Sequence, residues 1–156
     1  MGKETERKFL VRGDFMPYAV SSSHIVQGYI ARSESLTLRV RTRDGRGYLT
    51  IKGATDAGGT TRAEWEYEIP VAEARELLAY SRGVIDKVRY LVPAGRHVFE
   101  VDRFAGANEG LVVAEVELAD AGEAFERPGW LGEEVTGDRR YYNSQLLRHP
   151  YCEWGK

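Results

Sequence analysis

The chain has a single cysteine, Cys152, in 156 residues. An internal disulfide is therefore excluded, and so is a thiolate zinc cage. Histidine is nearly as scarce: His24, His97 and His149 lie far apart, without metal-ligand or triad spacing, and read as structural or surface residues. No apolar run approaches the ~20 residues that a membrane-spanning helix needs. The opening Met1-Gly2-Lys3-Glu4-Thr5-Glu6 is acidic and has no apolar stretch of the secretory kind. The expectation is a cytoplasmic protein with no membrane partner. A phosphate-cradling Walker loop is also missing, because neither Gly-Lys pair precedes Ser or Thr. Finally, there is no excess of one charge: 22 Lys+Arg face 24 Asp+Glu, for a net charge of −2. Binders of duplex DNA carry a basic excess, so DNA is disfavoured as a bulk partner, although a local basic surface is not.

What is present suits one compact domain spanning 1–156. Hydrophobic residues make up 42% of the chain, with three Trp, nine Tyr and five Phe, enough for a core. Turn signals fall at 44–47, 53–59, 93–95 and 106–110. Between them, segments rich in Val, Ile, Tyr and Thr predict eight strands, at 4–11, 25–30, 37–43, 48–52, 62–69, 85–92, 98–104 and 112–118. A helix is predicted over 71–82, after Pro70, and a second over about 138–147, between Asp138 and Pro150. Single helical turns are expected at 17–21 and 120–126. The fold class is α+β and β-rich, with helices packed outside.

The informative feature is charge at every second strand residue. The alternation runs through Glu4, Glu6 and Lys8; Arg39, Arg41 and Arg43; and Lys52 with Thr50. It continues through Arg62, Glu64, Glu66 and Glu68; Lys87 and Arg89; Glu100 and Asp102; and Glu115 and Glu117. Residues two apart share a face on a strand but not on a helix. An amphipathic open sheet with its charges in solvent would produce such alternation in any one strand. Here the habit recurs in strand after strand, with the signs largely segregated. Eight strands can also close into an antiparallel barrel, which removes exposed edges. Charges facing inward would require a wet interior. Trp65, Tyr67, Phe99, Val101, Val116 and Leu118 would then face outward and need cover from the helices. An interior lined with Arg and Lys suits a polyanion, and carboxylates beside them suit a bridging divalent cation. Oxygen donors alone point to Mg²⁺ or Mn²⁺.

Several blocks match a known pattern. Glu4-x-Glu6-x-Lys8 followed by Phe9-Leu10-Val11 resembles the ExExK signature of the CYTH superfamily, the triphosphate tunnel metalloenzymes. Gln27-Gly28-Tyr29, Leu38-Arg39-Val40-Arg41, Leu49-Thr50-Ile51-Lys52-Gly53 and Glu64-x-Glu66-Tyr67-Glu68 follow in the family's order. So do Lys87-Val88-Arg89-Tyr90, Glu100-Val101-Asp102-x-Phe104 and Ala114-Glu115-x-Glu117-Leu118. The tail from Trp130 to Tyr142-Asn143 is similar to that of the short bacterial inorganic triphosphatases, and the likeness spans roughly residues 4–151.

The resemblance implies an eight-stranded tunnel that hydrolyses inorganic triphosphate to pyrophosphate and phosphate, with Mg²⁺ or Mn²⁺ and two ions during turnover. It implies metal ligation by Glu4, Glu6, Glu115 and Glu117. Phosphate oxygens would be held by Lys8, Arg39, Arg41, Lys52, Lys87 and Arg89. Lys8, Tyr29, Glu64 and Glu115 would stand at the reacting centre, with Glu66 and Asp102 orienting the cations. The same tunnel supports class IV adenylate cyclase and thiamine or nucleoside triphosphatase activities, so the partner is a small polyanion, tripolyphosphate or a nucleoside triphosphate. A non-catalytic polyphosphate-binding module is the rival of another class. The expected assembly is a monomer or homodimer. Arg139-Arg140 reads as helix-surface charge, and Trp65 and Trp130 as packing residues.

Overall fold

The computed structural model describes residues 2–57 and 61–155, and side chains from residue 5 onward within those spans. Nine strands form in chain order: β1 (Gly2–Val11), β2 (Ser21–Arg32), β3 (Leu36–Arg43), β4 (Arg46–Gly53), β5 (Thr61–Ile69), β6 (Ile85–Ala94), β7 (His97–Phe104), β8 (Val112–Glu117) and β9 (Leu131–Glu134). Eight of them close a ring in the order β1-β5-β4-β3-β2-β6-β7-β8, every neighbour antiparallel. The predicted closed barrel is therefore present, and all eight predicted strands are in it. The turn signal at 53–59 falls between β4 and β5, and residues 58–60 lie outside the described residues.

Closure depends on β1. One edge of β1 pairs with β8, from Glu6↔Glu117 to Leu10↔Val113. The other edge pairs first with β5, from Gly2↔Glu64 to Thr5↔Thr61, and then with β9, at Phe9↔Glu134 and Val11↔Leu131. The ring is staggered, as barrel strands must be, so β5 begins partway along β1 and leaves an edge for β9 to cover. This ninth strand was not predicted. Its four residues, Leu-Gly-Glu-Glu, contain no β-branched residue to mark them.

The inward face changes character along the barrel. Two residues before Lys87 and Glu115, and two after Asp102, stand Ile85, Val113 and Phe104, all buried. They pack with Leu111, Val135, Tyr141 and Leu146 into an apolar plug supplied largely by the C-terminal segment. After β9 the chain meets the start of β5, turns off the barrel wall and crosses its end. The predicted helix over 138–147 is accordingly broken. A 3-10 turn (Arg139–Tyr141), held by Asp138 accepting from the Arg140 amide, gives way to extended backbone at Tyr142. Only then does α2 (Asn143–Arg148) begin.

Outside the barrel, Phe9, Phe99, Val101, Ala114, Val116 and Leu118 form a second core with Phe15, Trp130 and Leu131. Its lid is not helical, contrary to expectation. Phe125 and Trp130, from the coil after β8, meet the Phe99 ring edge-on at 6.2 and 5.3 Å. The stretch 120–126 forms a bonded turn between Glu123 and Asp120 rather than a helix, whereas 17–21 overlaps a 3-10 turn (Met16–Tyr18). The helix α1 (Val71–Leu78) follows β5 directly and is tethered over β2, β3 and β4, so it cannot reach this wall. Tyr67 is 55% exposed as a result. Two glycines admit the α1 region: a Cβ at Gly47 would stand 2.7 Å from Ala74 Cβ, and one at Gly28 would stand 2.6 Å from Ser81.

Leu146→Ala should cost about 2–5 kcal/mol of stability, read by urea unfolding. A loss well under 1 kcal/mol would mean that the plug does not stabilise the barrel end.

Candidate active site

The alternating charges turn into the lumen. All eight cations of the alternating set (Lys8, Arg39, Arg41, Arg43, Lys52, Arg62, Lys87, Arg89) line one cavity of about 250 Å³. Six carboxylates join them among the described residues: Glu6, Glu64, Glu66, Glu100, Glu115 and Glu117. Tyr29 is there too, placed where the β2 register shifts, its amide donating to Ser81 Oγ at 3.0 Å. Glu68 sits at the rim, 3.6 Å from Arg46. Asp102 lies beneath the lining, 2% exposed. The Glu4 side chain lies outside the described residues, although its backbone pairs with Arg62 of β5. The three histidines lie away from this lining: His24 meets Asp86 and His97 meets Glu123.

The ion pairs fall into two kinds. Asp102 is tightly held, with Lys87 Nζ at 2.7 Å and Arg89 donating Nε and Nη2 at 2.8 and 2.9 Å. The pairs facing the lumen are longer: Lys8–Glu115 at 3.8 Å, Lys52–Glu64 and Arg39–Glu66 at 3.6 Å, and Arg89–Glu100 at 3.3 Å. Most of these separations exceed a good hydrogen bond, so an incoming anion can draw these cations toward itself. Arg39 donates Nη2 to Thr50 Oγ1 at 3.2 Å, and Thr50 in turn donates to Glu66 at 2.9 Å. Arg39 Nε is buried with no hydrogen-bond partner among the described residues, an expensive state for a charged group's donor.

The floor of the lumen contains residues that charge alternation did not mark. Gln27 Oε1 accepts from Arg41 Nε and Nη2 at 2.9 and 2.7 Å, while Gln27 Nε2 donates to Tyr29 Oη and to Asn143 Oδ1. Asn143 Oδ1 also accepts from Lys87 Nζ at 2.9 Å. Tyr142 places its ring 5.3 Å from Lys8 Nζ, which donates to the Tyr141 carbonyl. These C-terminal groups carry no charge, so only the tail's likeness to a known pattern pointed to them.

Burial presses on every ionised group, and the neighbours decide the outcome. Lys87 is pushed down to about 7 by burial, which Asp102 only partly offsets while Arg89 and Arg41 add to it. Lys8, equally buried, is raised, because Glu115 and Glu6 outweigh the desolvation. Burial with Arg39 and Arg89 nearby lowers Arg41 to about 9, so it stays cationic at neutral pH. Against desolvation, Lys8 and a hydrogen bond from Glu6 hold Glu115 well below the usual carboxylate range. Asp102 is likewise depressed by Arg89 and Lys87 in spite of its burial.

Because the Asp102 pKa is lowered on folding, its stabilisation is full above the unfolded value and is lost as pH falls below about 4. Asp102→Asn should therefore cost about 3–5 kcal/mol at neutral pH. The gap from wild type should narrow as the solution is acidified below that range. Denaturant melts at pH 7 and pH 3 test this, and a gap independent of pH would contradict the assignment.

Comparison with known proteins agrees with the geometry. A curated protein of Acetivibrio thermocellus named inorganic triphosphatase is 48% identical over 153 residues, covering 97% of each chain. One of the same name from Nitrosomonas europaea is 38% identical over 149 residues, covering 92% of this chain and 95% of its own. A crystal structure of an inorganic triphosphatase superimposes with a TM-score of 0.67 at 34% identity, covering 94% of this chain and 95% of that one. The model of the CYTH domain matches residues 2–145. Closed barrel, inward charge and sequence thus converge, and the chain belongs to the CYTH domain family.

Proposed function

We propose that this chain hydrolyses inorganic triphosphate to pyrophosphate and phosphate with the help of a divalent cation. The observation that carries the reading is the lumen: among the described residues, eight cations and six carboxylates line one cavity, and a buried Arg39 N–H points at no partner. Tripolyphosphate offers oxygens to each of those cations, and guanidinium groups take them two at a time. Among the described residues the lining has rings only from Tyr29 and Tyr142, and these are engaged with Gln27 and Lys8. A nucleobase or thiamine finds no apolar slot among these residues, which favours the inorganic substrate over cyclase or nucleotidase chemistry. The names of the two relatives support the same choice. A module that only bound anions would gain nothing from six carboxylates. The single cysteine, Cys152, is exposed and suits a cytoplasmic setting.

No three His, Cys, Asp or Glu among the described residues form a ready metal cage. Glu6, Glu115 and Glu117 nevertheless line the lumen together. Their carboxylates are all-oxygen donors, which suit a divalent cation, Mg²⁺ or Mn²⁺. Glu6, Glu115 and Glu117, with Glu4 beside them in sequence, would hold it. When bound, such an ion neutralises phosphate charge and lowers the pKa of the attacking water.

Lys8, Arg39, Arg41, Lys52, Lys87 and Arg89 align the chain of phosphates and disperse the charge that moves onto the leaving oxygen. Glu64 and Glu115 orient the water that attacks phosphorus, and the bond to the bridging oxygen breaks to release pyrophosphate. Tyr29 touches the phosphate under attack. Glu66 and Asp102 act by positioning, through Arg39 and through Lys87 with Arg89. Positioning and charge neutralisation are most of what phosphoryl transfer requires.

Purified protein with Mg²⁺ or Mn²⁺ should release phosphate from tripolyphosphate in preference to ATP, GTP and thiamine triphosphate. Absence of turnover from neutral to alkaline pH would sink the reading. Glu117→Ala should abolish metal-dependent turnover, and Arg39→Ala should raise KM and lower kcat by roughly 10²–10³-fold. A proton effect follows from Lys87. Its pKa of about 7 leaves it largely neutral at pH 8, and a bound polyanion favours the ammonium form. Binding of tripolyphosphate in EDTA at pH 8 should thus take up a proton, seen by calorimetry in buffers of differing ionisation enthalpy. Lys87→Gln should remove that uptake.

A further inference from the structure

A second, wider cavity of about 820 Å³ opens from the tunnel at the end crossed by the C-terminal segment. The two share Thr37, Thr55, Arg62, Tyr142 and Ser144, so they form one continuous passage. Its wall carries Arg32 from the end of β2, Arg139 from the 3-10 turn and Arg148 from the end of α2. Glu34 and Asp56 also line it, yet none of the three arginines is ion-paired with a carboxylate among the described residues. They are close enough to repel one another: the Arg32 guanidinium is lowered by burial and then by Arg148 and Arg139. The Gln145 amide, with its oxygen turned toward Arg32, accepts from Nη2 and Nη1 at 2.6 and 3.3 Å and holds that side chain in place.

Adjacent Arg140 shows what an ordinary surface arginine does here. It pairs with Asp138 at 2.7 Å and lies over the Tyr141 and Trp154 rings. The fold thus divides the Arg139-Arg140 pair, sending one residue to a partner and the other to the mouth. At the opposite end, beyond the β3–β4 turn, Arg46 already faces Glu68, and Glu66 and Glu100 are 38% and 41% exposed. That end presents carboxylates to an approaching anion, whereas this one presents guanidinium groups with no carboxylate partner among the described residues.

We propose that Arg32, Arg139 and Arg148 form an anion-capture site at this mouth, where the substrate polyanion is held before it passes into the tunnel. The three guanidinium groups have no role in the hydrolysis itself. They raise the local concentration of the anion and lower the barrier to loading, as clefts of one charge do. The proposal rests on the triphosphatase reading for the identity of its ligand, but not for its test.

The probe is tripolyphosphate, and the variant is Arg139→Gln/Arg148→Gln, two exposed positions whose loss leaves the packing intact. Its association rate with metal-free protein in EDTA, at low ionic strength, should fall tenfold or more. In turnover with Mg²⁺, kcat/KM should fall in step while kcat stays within about twofold. The dependence of log(kcat/KM) on log salt should also become shallower than in wild type. The charge-retaining Arg139→Lys/Arg148→Lys pair should restore most of the rate. Arg140→Gln, which removes one positive charge next door, should leave the association rate unchanged. An unchanged association rate in the double variant overturns the capture site, and so does an equal fall in Arg140→Gln, which would mark a bulk charge effect. If wild type binds tripolyphosphate with this arginine dependence but never cleaves it, the triphosphatase reading falls and the capture site stands.

Discussion

Strand β1 is hydrogen-bonded along both edges, to β8 on one and to β5 and then β9 on the other, and this double pairing closes the ring. Closure converts a two-residue alternation into an inside and an outside. Without it, Lys87 and Asp102, 1% and 2% exposed, would sit on an open sheet in water. Inside, each cation is under pressure from its own kind and must be answered by carboxylates. The two buried lysines show how fine that balance is. Lys8 has two acids and keeps its proton firmly, whereas Lys87 shares Asp102 with Arg89 and faces Arg41. Residue type alone does not separate them.

The stagger that closure demands also decides where the C-terminal segment goes. With β5 starting partway along β1, the chain leaving β9 is turned across the barrel end. There it does two jobs at once. Leu146 and Tyr141 complete the plug over Ile85, Phe104 and Val113, while Asn143 and Tyr142 reach the lumen beside Lys87 and Lys8. The extended backbone at Tyr142 is what permits both, since an unbroken helix would carry Asn143 past the lumen. A further product is asymmetry: one mouth is framed by this segment and its arginines, the other by strand turns and carboxylates.

Much of the site was legible because strand periodicity is a local property. The residues at 39, 41 and 43, or at 64, 66 and 68, lie on one face whatever their strand pairs with. Every alternating cation accordingly lines the lumen. The misses arose where packing overrode local pattern. Leu131–Glu134 becomes a strand only because β1 offers an open edge. The Phe99 wall is covered by coil bearing Phe125 and Trp130, since α1 is tied to the other side of the barrel by its short link to β5. Gln27 and Asn143, 116 residues apart, meet through a hydrogen bond that no local spacing announces.

By itself, the sequence determined the eight barrel strands, the face on which each charge stands and the mixture of cations with acids, because these follow from residue order and a period of two. It also carried the family likeness, through blocks that keep their order. Only the tertiary structure decided that this face is enclosed, since closure is a relation between the two ends of the ring. It alone sorted Arg139 from Arg140, brought Arg32 and Arg148 to the same mouth, and left Lys87 poised near neutrality. Charges act through space, and their effect depends on distances and burial that exist only once the chain has folded.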